Sequence, residues 1–549
     1  MRSTLVASER VSSSRAGRRG LGTAARWAGW VLLAIALFLV TLRQSRQIGI
    51  QSDGASNALQ AWQMLHGNLL LRGWHVSDVS FYTTELPVIM IVEAVHGLRG
   101  DVLAITEAIN YTLTVLLGAL LAKGRARGRE GAVRALLAGG VMAAPSMASA
   151  DWLLNDPDHA ATALWVLLAL LVVDRAARRW YVPVIAGAIL AWATVGDPLT
   201  EVIGAAPLVF VGVARAWPGL GTREVRLRER WYELSLATAG ILSVGVGAGV
   251  TLLIKAAGGW ALTNTGDQFV TAATIPSNLA LEFENFLGLY SADFFGQHVS
   301  GAVVPALIHL LGAFAVALAI WITVRRFFDD RGRDLSGGDF VTDVVAVAIV
   351  CNLIAYFFLY SAAPAQIREV SPVFALGAVL AGRVLGGPLA RARREPVLAA
   401  GLLAYLLTMG PSLTGQARPP ANESLAGWLE NHHLSHGIGG YWQADSVTFD
   451  SGNQVTVTPV EAGPGGEPVP DIWEIDVTQL DAARNYGDFL VLAPGSTARQ
   501  APITVAGAIR EFGQPARVYH VQQYTILVWD QNILSRLTVP AGLGLPDGP

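Results

Sequence analysis

The sequence predicts an all-α polytopic membrane domain followed by a small α/β domain. Of the 549 residues, 52% are hydrophobic and only 15% are charged. A soluble chain carries roughly a quarter charged residues, and the deficit indicates hydrocarbon as the surrounding solvent, where charges are costly. The apolar residues gather in eleven runs, read as spanning helices at 27–42, 102–122, 135–150, 160–173, 182–194, 202–214, 234–254, 303–324, 341–360, 373–389 and 397–409.

Basic residues predict how these spans are oriented. With the N-terminus inside, 27 of the 39 Lys and Arg residues fall in inside segments and 12 fall outside. This is the distribution expected of a cytoplasmic membrane protein. It predicts a cytoplasmic basic tail at 1–26, a multi-spanning domain at 27–410 and an extracytoplasmic domain at 411–549. The apolar stretch 87–97 is too short to span and is predicted to lie at the outer interface.

The last segment of the chain changes character. It contains Pro and Gly clusters, such as EAGPGGEPVP, and apolar runs that are too short to cross a bilayer. Mixed helices and strands in this region predict a small α/β domain. The predicted helices are 425–431 and 503–512, and the predicted strands are 454–459, 489–493 and 525–529.

Acidic residues gather in the predicted outer loops. Two of these loops are long, at 45–100 and 255–301, and Asp53 lies near the start of the first. A shorter loop, DWLLNDPDH, places Asp156 and Asp158 at the mouth of a span. An unpaired carboxylate that is desolvated at a span end has a raised pKa. The set therefore predicts binding or chemistry at the outer surface, although any single acid could simply face water.

Four short motifs resemble those of the GT-C superfamily, which comprises multi-spanning, lipid-dependent glycosyltransferases. They are QSDGASNALQAW around Asp53, YTTELPVIMIVEAVHGL, LLNDPDHAATALW around Asp156 and Asp158, and QIREVSP around Arg368. The layout over roughly residues 27–410 is most similar to the protein mannosyltransferase and aminoarabinose transferase branch. Many protein mannosyltransferases carry two adjacent acids where this chain has Asp53 followed by glycine, which favours the wider family.

The resemblance implies a function and a donor. The expected enzyme is an inverting glycosyltransferase that moves a hexosyl or pentosyl group from a polyprenyl-phosphate sugar at the outer face of the cytoplasmic membrane. The acceptor would be a glycan, a lipid or a protein. Neither the small net charge of −3 nor any motif points to nucleic acid. No cofactor is certain, and a divalent metal held by carboxylates is left as an option.

The resemblance also implies roles for individual residues. Asp53 would act as the general base. Asp156, the best match to the family's second acid, would orient the acceptor, tune Asp53 or hold a divalent metal. Arg368 would hold the donor phosphate, with Lys255 as a secondary phosphate ligand. The acceptor side would be formed by Asp158, His159, Glu85 and Tyr82.

Two other classes of function compete with this one. A transporter or flippase of lipid-linked glycans requires broken helices and polar groups inside the spans. A non-catalytic scaffold for cell-envelope assembly predicts that Asp53, Asp156 and Arg368 do not cluster around a cavity. Two further features have alternatives of their own. The histidines of HHLSH, at 432–436, are either metal ligands or a solvated helix end, and Tyr441 and Trp442 either face an acceptor glycan or belong to a core.

Overall fold

The computed structural model describes residues 27–154, 159–216, 227–263, 269–329, 339–359, 364–495 and 502–538. Its N-terminal part is helical and its C-terminal part contains a sheet. The helices are α1 (Trp27–Ser45), α2 (Ser52–Leu65), α3 (Leu86–His96), α4 (Val102–Lys123), α5 (Gly128–Met142), α6 (Met147–Leu153), α7 (Ala160–Arg175), α8 (Tyr181–Gly196), α9 (Ala206–Ala216), α10 (Leu227–Ala256), α11 (Ile275–Leu289), α12 (Val304–Asp329), α13 (Phe340–Leu359), α14 (Pro372–Arg391), α15 (Glu395–Thr408), α16 (Gly410–Thr414), α17 (Glu423–Asn431), α18 (Tyr441–Asp450) and α19 (Val505–Phe512).

Seven helical stretches within the described residues are long and apolar enough to cross a membrane. They correspond to α1, α4, α10, α12, α13, α14 and α15 with their flanking turns. An eighth crossing arises if the bent pair α5 and α6 forms one span. The other predicted spans fall on the shorter helices α7, α8 and α9, so the predicted total of eleven stays a prediction.

The third predicted span differs from the observed structure. Residues 135–150 were expected to form one helix, but α5 ends at Met142 and α6 begins at Met147, with a bend of 93° between their axes. The segment between them contains Pro145, which cannot donate a backbone hydrogen bond and disfavours helix at the preceding residue. Ser146 then caps α6 by accepting from the Ser149 amide. The bend turns α6 across the end of the bundle instead of along it.

Helix α14 lies at the centre of the helical bundle. Of the residues in its apolar window, 83% are buried, the largest share of any candidate span. It packs against α4, α5, α12 and α13, and its glycines allow close approach of the neighbouring backbones. A short 3₁₀ helix, Pro364–Val370, leads into it. Residues of this lead-in are therefore held rigidly at one end of the bundle.

The C-terminal domain contains a six-stranded sheet with the order β5-β4-β3-β7-β9-β8. Strand β3 is parallel to β4 and β7, and the remaining pairs are antiparallel. The α/β fold predicted for this domain is present, and the predicted helices and strands lie within a few residues of observed ones. The strands of this sheet are β3 (His436–Gly440), β4 (Thr456–Ala462), β5 (Pro468–Pro470), β7 (Phe489–Leu492), β8 (Arg517–Val521) and β9 (Tyr524–Val528).

A second, three-stranded sheet joins the C-terminal domain to the helical bundle. Its order is β2-β1-β6, where β1 is Trp74–Val76, β2 is Ala261–Leu262 and β6 is Ile475–Asp476. Strand β1 comes from the first long loop, β2 from the second, and β6 from the C-terminal domain. Helix α18 also packs on α2. We refer to this side of the bundle as the domain end.

Candidate active site

Asp53 and Arg368 form an ion pair at the domain end. An oxygen of Asp53, Oδ2, lies 3.7 Å from Nη1 of Arg368, and the two side chains are 21% and 29% exposed. Asp53 lies in the first turn of α2, where the helix dipole favours a carboxylate. Arg368 lies in the 3₁₀ lead-in to α14. The pair is thus held by two packed elements that are far apart in sequence.

The C-terminal domain contributes Tyr441 to the same place. The Tyr441 hydroxyl is within hydrogen-bond distance of Asp53 Oδ1 and lies 2.6 Å from Glu474 Oε2. The hydroxyl of Ser52 donates to the Tyr441 carbonyl oxygen at 2.6 Å, which fixes the start of α18 against α2. Tyr441 is buried, as the core alternative for this aromatic residue predicts. Its hydroxyl group contacts Asp53.

Two buried acidic residues of the C-terminal domain, Glu474 and Asp445, lie near Tyr441. Glu474 is only 3% exposed, and burial together with the charge of Asp53 raises its pKa well above the usual value. Burial also raises the pKa of Asp445 on α18, despite a hydrogen bond from Ser56. Burial therefore favours the protonated form of both acids. Glu474 has a backbone φ of 50°, in the left-handed region that a glutamate seldom adopts.

His159 forms a second polar centre at the domain end. Its Nδ1 lies 2.7 Å from Asp197 Oδ2, and its Nε2 lies 3.2 Å from Glu369 Oε2. Burial opposes protonation of His159, but the two carboxylates outweigh burial and hold its pKa well above the usual value. The pKa of Asp197 shifts in the opposite direction. It is lowered, because the contacts with His159 outweigh the effect of burial. Since Glu369 follows Arg368 directly, this centre adjoins the Asp53 pair.

Glu85, an expected acceptor-side residue, is completely buried at the start of α3. Burial, with a smaller contribution from the nearby charge of Asp197, raises its pKa to about 8. Glu85 is therefore a neutral acid at pH 7. The structure places it next to the His159 centre, so Glu85 and His159 are brought together.

Lys255 and Tyr82 lie beside the three-stranded sheet. Lys255 is in the last turn of α10, and its charge, secondary to burial, lowers the pKa of His75 on β1. The Tyr82 hydroxyl donates to the carbonyl oxygen of Leu69 at 2.7 Å, and its ring centroid lies 5.8 Å from that of Trp260. The hydrogen bond and the ring contact both tie Tyr82 to the fold of the long loops.

Asp156 and Asp158 lie outside the described residues, immediately before His159. Within the part of the chain that the structure describes, no group of three or more His, Cys, Asp or Glu side chains could hold a metal ion. The HHLSH histidines are instead divided between elements. His432 stacks on Trp428 with ring centroids 3.8 Å apart, whereas His436 begins β3 and its Nε2 lies 3.4 Å from the Thr458 hydroxyl.

Comparison with known proteins bears on this architecture. No family model and no curated protein matches the sequence. A structural match is the apo crystal structure of ArnT from Cupriavidus metallidurans, with a TM-score of 0.53 and 15% sequence identity, covering 94% of this chain and 100% of that chain. ArnT is an aminoarabinose transferase of the GT-C family. The chain shares the fold of this transferase. At this identity the match concerns the fold alone, and it is the fold that the resemblance predicts.

An apolar groove runs along the helices of the bundle. It has a volume of about 1040 Å³ and lies between α9, α10, α12 and α13. Its lining is almost entirely hydrophobic and includes Val213, Ile241 and Val347, together with the half-buried Cys351. One end of the lining is Glu201, which follows Asp197 by about one helical turn. The lining also includes Asp343, near the start of α13.

Several residues of this candidate site were not singled out by the sequence. Glu474 and Asp445 carry no motif, and only the docking of the C-terminal domain brings them to Asp53. Glu369 could have been suggested by its position beside Arg368. Asp197 occurs in GDPLTE, one of the acidic outer loops, but its buried contact with His159 depends on the packing of α7 against α8.

Proposed function

We propose that this protein is a membrane glycosyltransferase that moves a sugar from a polyprenyl-phosphate donor to an acceptor at the outer face of the cytoplasmic membrane. The observation that carries this proposal is the pairing of Asp53 with Arg368 at 3.7 Å, at the domain end of a GT-C fold. The pair combines a carboxylate that accepts a proton with a cation that binds phosphate. Transfer from a phosphate-linked sugar needs both groups.

Asp53 is the proposed general base. The acceptor hydroxyl or amine would attack the anomeric carbon of the sugar while its proton passes to Asp53. The bond between the anomeric carbon and the phosphate oxygen breaks, and the polyprenyl phosphate leaves. A single displacement of this kind inverts the anomeric configuration. The partial exposure of Asp53 leaves it open to an acceptor.

Arg368 is the proposed ligand of the leaving phosphate. A guanidinium offers a planar fork of donors that matches two phosphate oxygens. The side chain of Asn352 donates to the Glu369 carbonyl oxygen at 3.0 Å, which fixes the backbone next to Arg368. When the donor binds, its phosphate would replace Asp53 as the nearest anion of Arg368. Lys255 is a secondary candidate for the phosphate or for another part of the donor.

The remaining residues would shape the acceptor side. Asp156 is proposed as a second catalytic acid and Asp158 as its neighbour, in the segment that ends at His159. His159, which follows them in sequence, is held by Asp197 and Glu369. Glu85 and Tyr82 would border the acceptor from the first long loop. A divalent metal, if one takes part, would be held by Asp156 or Asp158 together with the donor phosphate.

The apolar groove would receive the polyprenyl chain. Its lining residues come from helices that face hydrocarbon, and Phe210 and Ile241 beside it are more than half exposed. An isoprenoid tail gains no polar contacts and requires only an apolar surface. The head group of such a donor would lie toward Glu201 of the lining, which follows Asp197 by four residues.

The arginine-rich end of the bundle supports the proposed orientation. Arg383 is buried there, with Nη2 2.8 Å from Asp174 Oδ1 and within an ion pair with Asp339. Arg215 forms a similar pair with Asp343. Arg383 on α14 and Arg215 on α9 lie in the segments that the distribution of basic residues predicts to be cytoplasmic. The domain end would then face outward.

The test is an assay of purified protein with a panel of defined polyprenyl-phosphate sugars. We expect transfer by the wild type, with inversion seen by NMR of the product. Asp53→Asn keeps the shape of the side chain and removes the base, so turnover should fall by about 10²- to 10⁴-fold. Arg368→Lys keeps the charge but loses the fork, and should weaken use of the donor more than Lys255→Ala does.

Asp530→Asn is the matched control, because Asp530 is an exposed acid of the C-terminal domain. It should transfer sugar at the wild-type rate. Full activity of Asp53→Asn would overturn the assignment of the base. Movement of a labelled lipid-linked sugar across proteoliposomes, without any transfer product, would instead identify a flippase. Absence of both activities with all donors would favour the scaffold.

A further inference from the structure

The Tyr441 hydroxyl contacts two carboxyl groups, but its single proton can be donated to only one of them. Its oxygen is within hydrogen-bond distance of Asp53 Oδ1 and of Glu474 Oε2. A phenol has one O–H to donate, and an ionised carboxylate can only accept. If both acids were ionised, one carboxylate would face the phenol oxygen without a proton between them. The arrangement therefore requires a second proton on one of the two acids.

The surroundings decide which acid carries that proton. Asp53 is partly exposed and lies beside the Arg368 guanidinium, which favours its ionised form. Glu474 is buried, and the groups that face it are Asp53, Asp445, Tyr441 and Ser77. None of these four is a cation, and two of them are acids. Burial and the charge of Asp53 keep the pKa of Glu474 high, so the proton resides on Glu474.

We propose that Tyr441 and Glu474 are positioning residues for Asp53, in which the carboxylic acid of Glu474 donates to the Tyr441 oxygen and the Tyr441 hydroxyl donates to Asp53. The proposal rests on Asp53 being the general base of the proposed function. It gives the C-terminal domain a direct part in the active site. No proton is consumed, because the acceptor proton that reaches Asp53 in turnover is released from Asp53 to solvent.

The backbone supports this role independently. Glu474 adopts a φ of 50°, a conformation that costs energy for a residue with a side chain. The two residues that follow it form β6, where Ile475 pairs with His75 and Asp476 pairs with Trp74 of the first long loop. The strained residue is thus fixed by a sheet that includes the loop following α2. Such a constraint aims Glu474 at Tyr441 and keeps both aligned with Asp53.

Three variants test the proposed network. Tyr441→Phe removes only the hydroxyl, and should lower kcat roughly 10- to 100-fold, as expected for loss of a supporting hydrogen bond. It should also move the acid limb of the kcat/KM profile to higher pH, because Asp53 loses a donor to its ionised form. Glu474→Gln keeps a neutral donor and should remain close to wild type. Glu474→Ala removes the donor and should resemble Tyr441→Phe.

The control is Tyr524→Phe, which removes a buried hydroxyl of the same domain that donates to Asn422 at 2.8 Å. It should leave kcat and the acid limb unchanged. A merely structural role for Tyr441 would lower stability in both tyrosine variants without moving the pH profile. Wild-type kcat and an unshifted limb in Tyr441→Phe would overturn the proposal. So would equal loss of activity in Glu474→Gln and Glu474→Ala.

Infrared spectroscopy separates this proposal from the proposed function. The wild type at neutral pH should show the carbonyl band of a protonated carboxyl that disappears in Glu474→Gln and persists in Asp445→Asn. Absence of a band assigned to Glu474 would overturn the network even if the enzyme transfers sugar. The band together with no transfer activity on any donor would refute the proposed function while leaving the proton on Glu474 established.

Discussion

Gly382 on α14 packs against the backbone of Arg134 on α5, so that a β-carbon at Gly382 would lie 2.6 Å from the Arg134 carbonyl oxygen. The same β-carbon would lie 2.9 Å from Ala122 and 3.1 Å from Ala138. A backbone oxygen cannot move aside as a flexible side chain can. This contact fixes the distance between the central helix and its neighbour.

We therefore predict that Gly382→Ala destabilises the helical domain by about 1–3 kcal/mol, the usual range for overpacking. Thermal unfolding in detergent measures the effect. Gly401→Ala on α15 is the matched control, because a β-carbon there would meet no atom within 4 Å. Equal melting temperatures for the two variants would show that α14 and α5 have room to separate.

A second prediction concerns the buried pair of His159 and Asp197. His159→Ala leaves Asp197 buried without its cation, which costs about 3–5 kcal/mol for pairs of this kind. The double variant with Asp197→Asn should recover part of that loss. A double-mutant cycle on unfolding measures the coupling. Additive effects of the two changes would contradict a direct interaction.

The same pair predicts a dependence of stability on pH. The folded pKa of His159 lies above its unfolded value, which is about 6.5. Its stabilising contribution is therefore fully present below that pH and is lost as the pH rises through the raised folded pKa. The stability difference between wild type and His159→Ala should shrink at alkaline pH. A difference that grows with pH would contradict the protonated state.

Glu85 should show the behaviour of a buried neutral acid. Its pKa rises from an ordinary value of 4.5 to about 8 in the folded protein. Between these values the folded state holds a proton that the unfolded state has released, so stability falls as the pH rises through this window. Glu85→Gln should remove that slope and be more stable than wild type above pH 8.

Thermal unfolding between acidic and alkaline pH measures the Glu85 effect. Glu430→Gln is the control, because Glu430 is exposed on α17 and should leave the slope unchanged. A wild-type slope that survives in Glu85→Gln would place the responsible proton elsewhere.

The three-stranded sheet gives a prediction for hydrogen exchange. The amides of β1 should be protected, because β1 lies between β2 and β6. Ile475→Pro removes a backbone donor opposite His75, and should expose β1 to exchange while the six-stranded sheet stays protected. Val518→Pro, on the edge strand β8, is a comparison that should leave β1 protected. Unchanged exchange at β1 in Ile475→Pro would argue against this docking.

Much of the fold followed from periodicity and composition. Apolar runs located the helices, because hydrocarbon penalises charge irrespective of tertiary detail. The sidedness indicated by the arginines stays a prediction. The bend between α5 and α6 was not predicted, since it depends on how Pro145 is accommodated among neighbouring helices. Strand β6, only two residues long, has no signal of its own and exists because β1 pairs with it.

The candidate site was predictable only in part. Asp53 and Arg368 were named from motifs, and the structure brings them together at 3.7 Å. Whether they act as base and phosphate ligand stays a prediction. Tyr441 was noted only as an aromatic residue, and Glu474 had no pattern around it. Tyr441 reaches Asp53 across 388 residues of chain, and Glu474 contacts Tyr441 in turn. Local sequence carries no information over such a separation.

The order of strands β2-β1-β6 has a consequence for biosynthesis. Asp53, β1 and β2 leave the ribosome long before β6 and Tyr441, which belong to the last part of the chain. A nascent chain can insert its helices, but its sheet has only two strands until residue 476 has been made and moved to the domain end. The arrangement around Asp53 is therefore completed only near the end of synthesis. A chain interrupted earlier would insert its helices into the membrane but would lack β6 and Tyr441 next to Asp53.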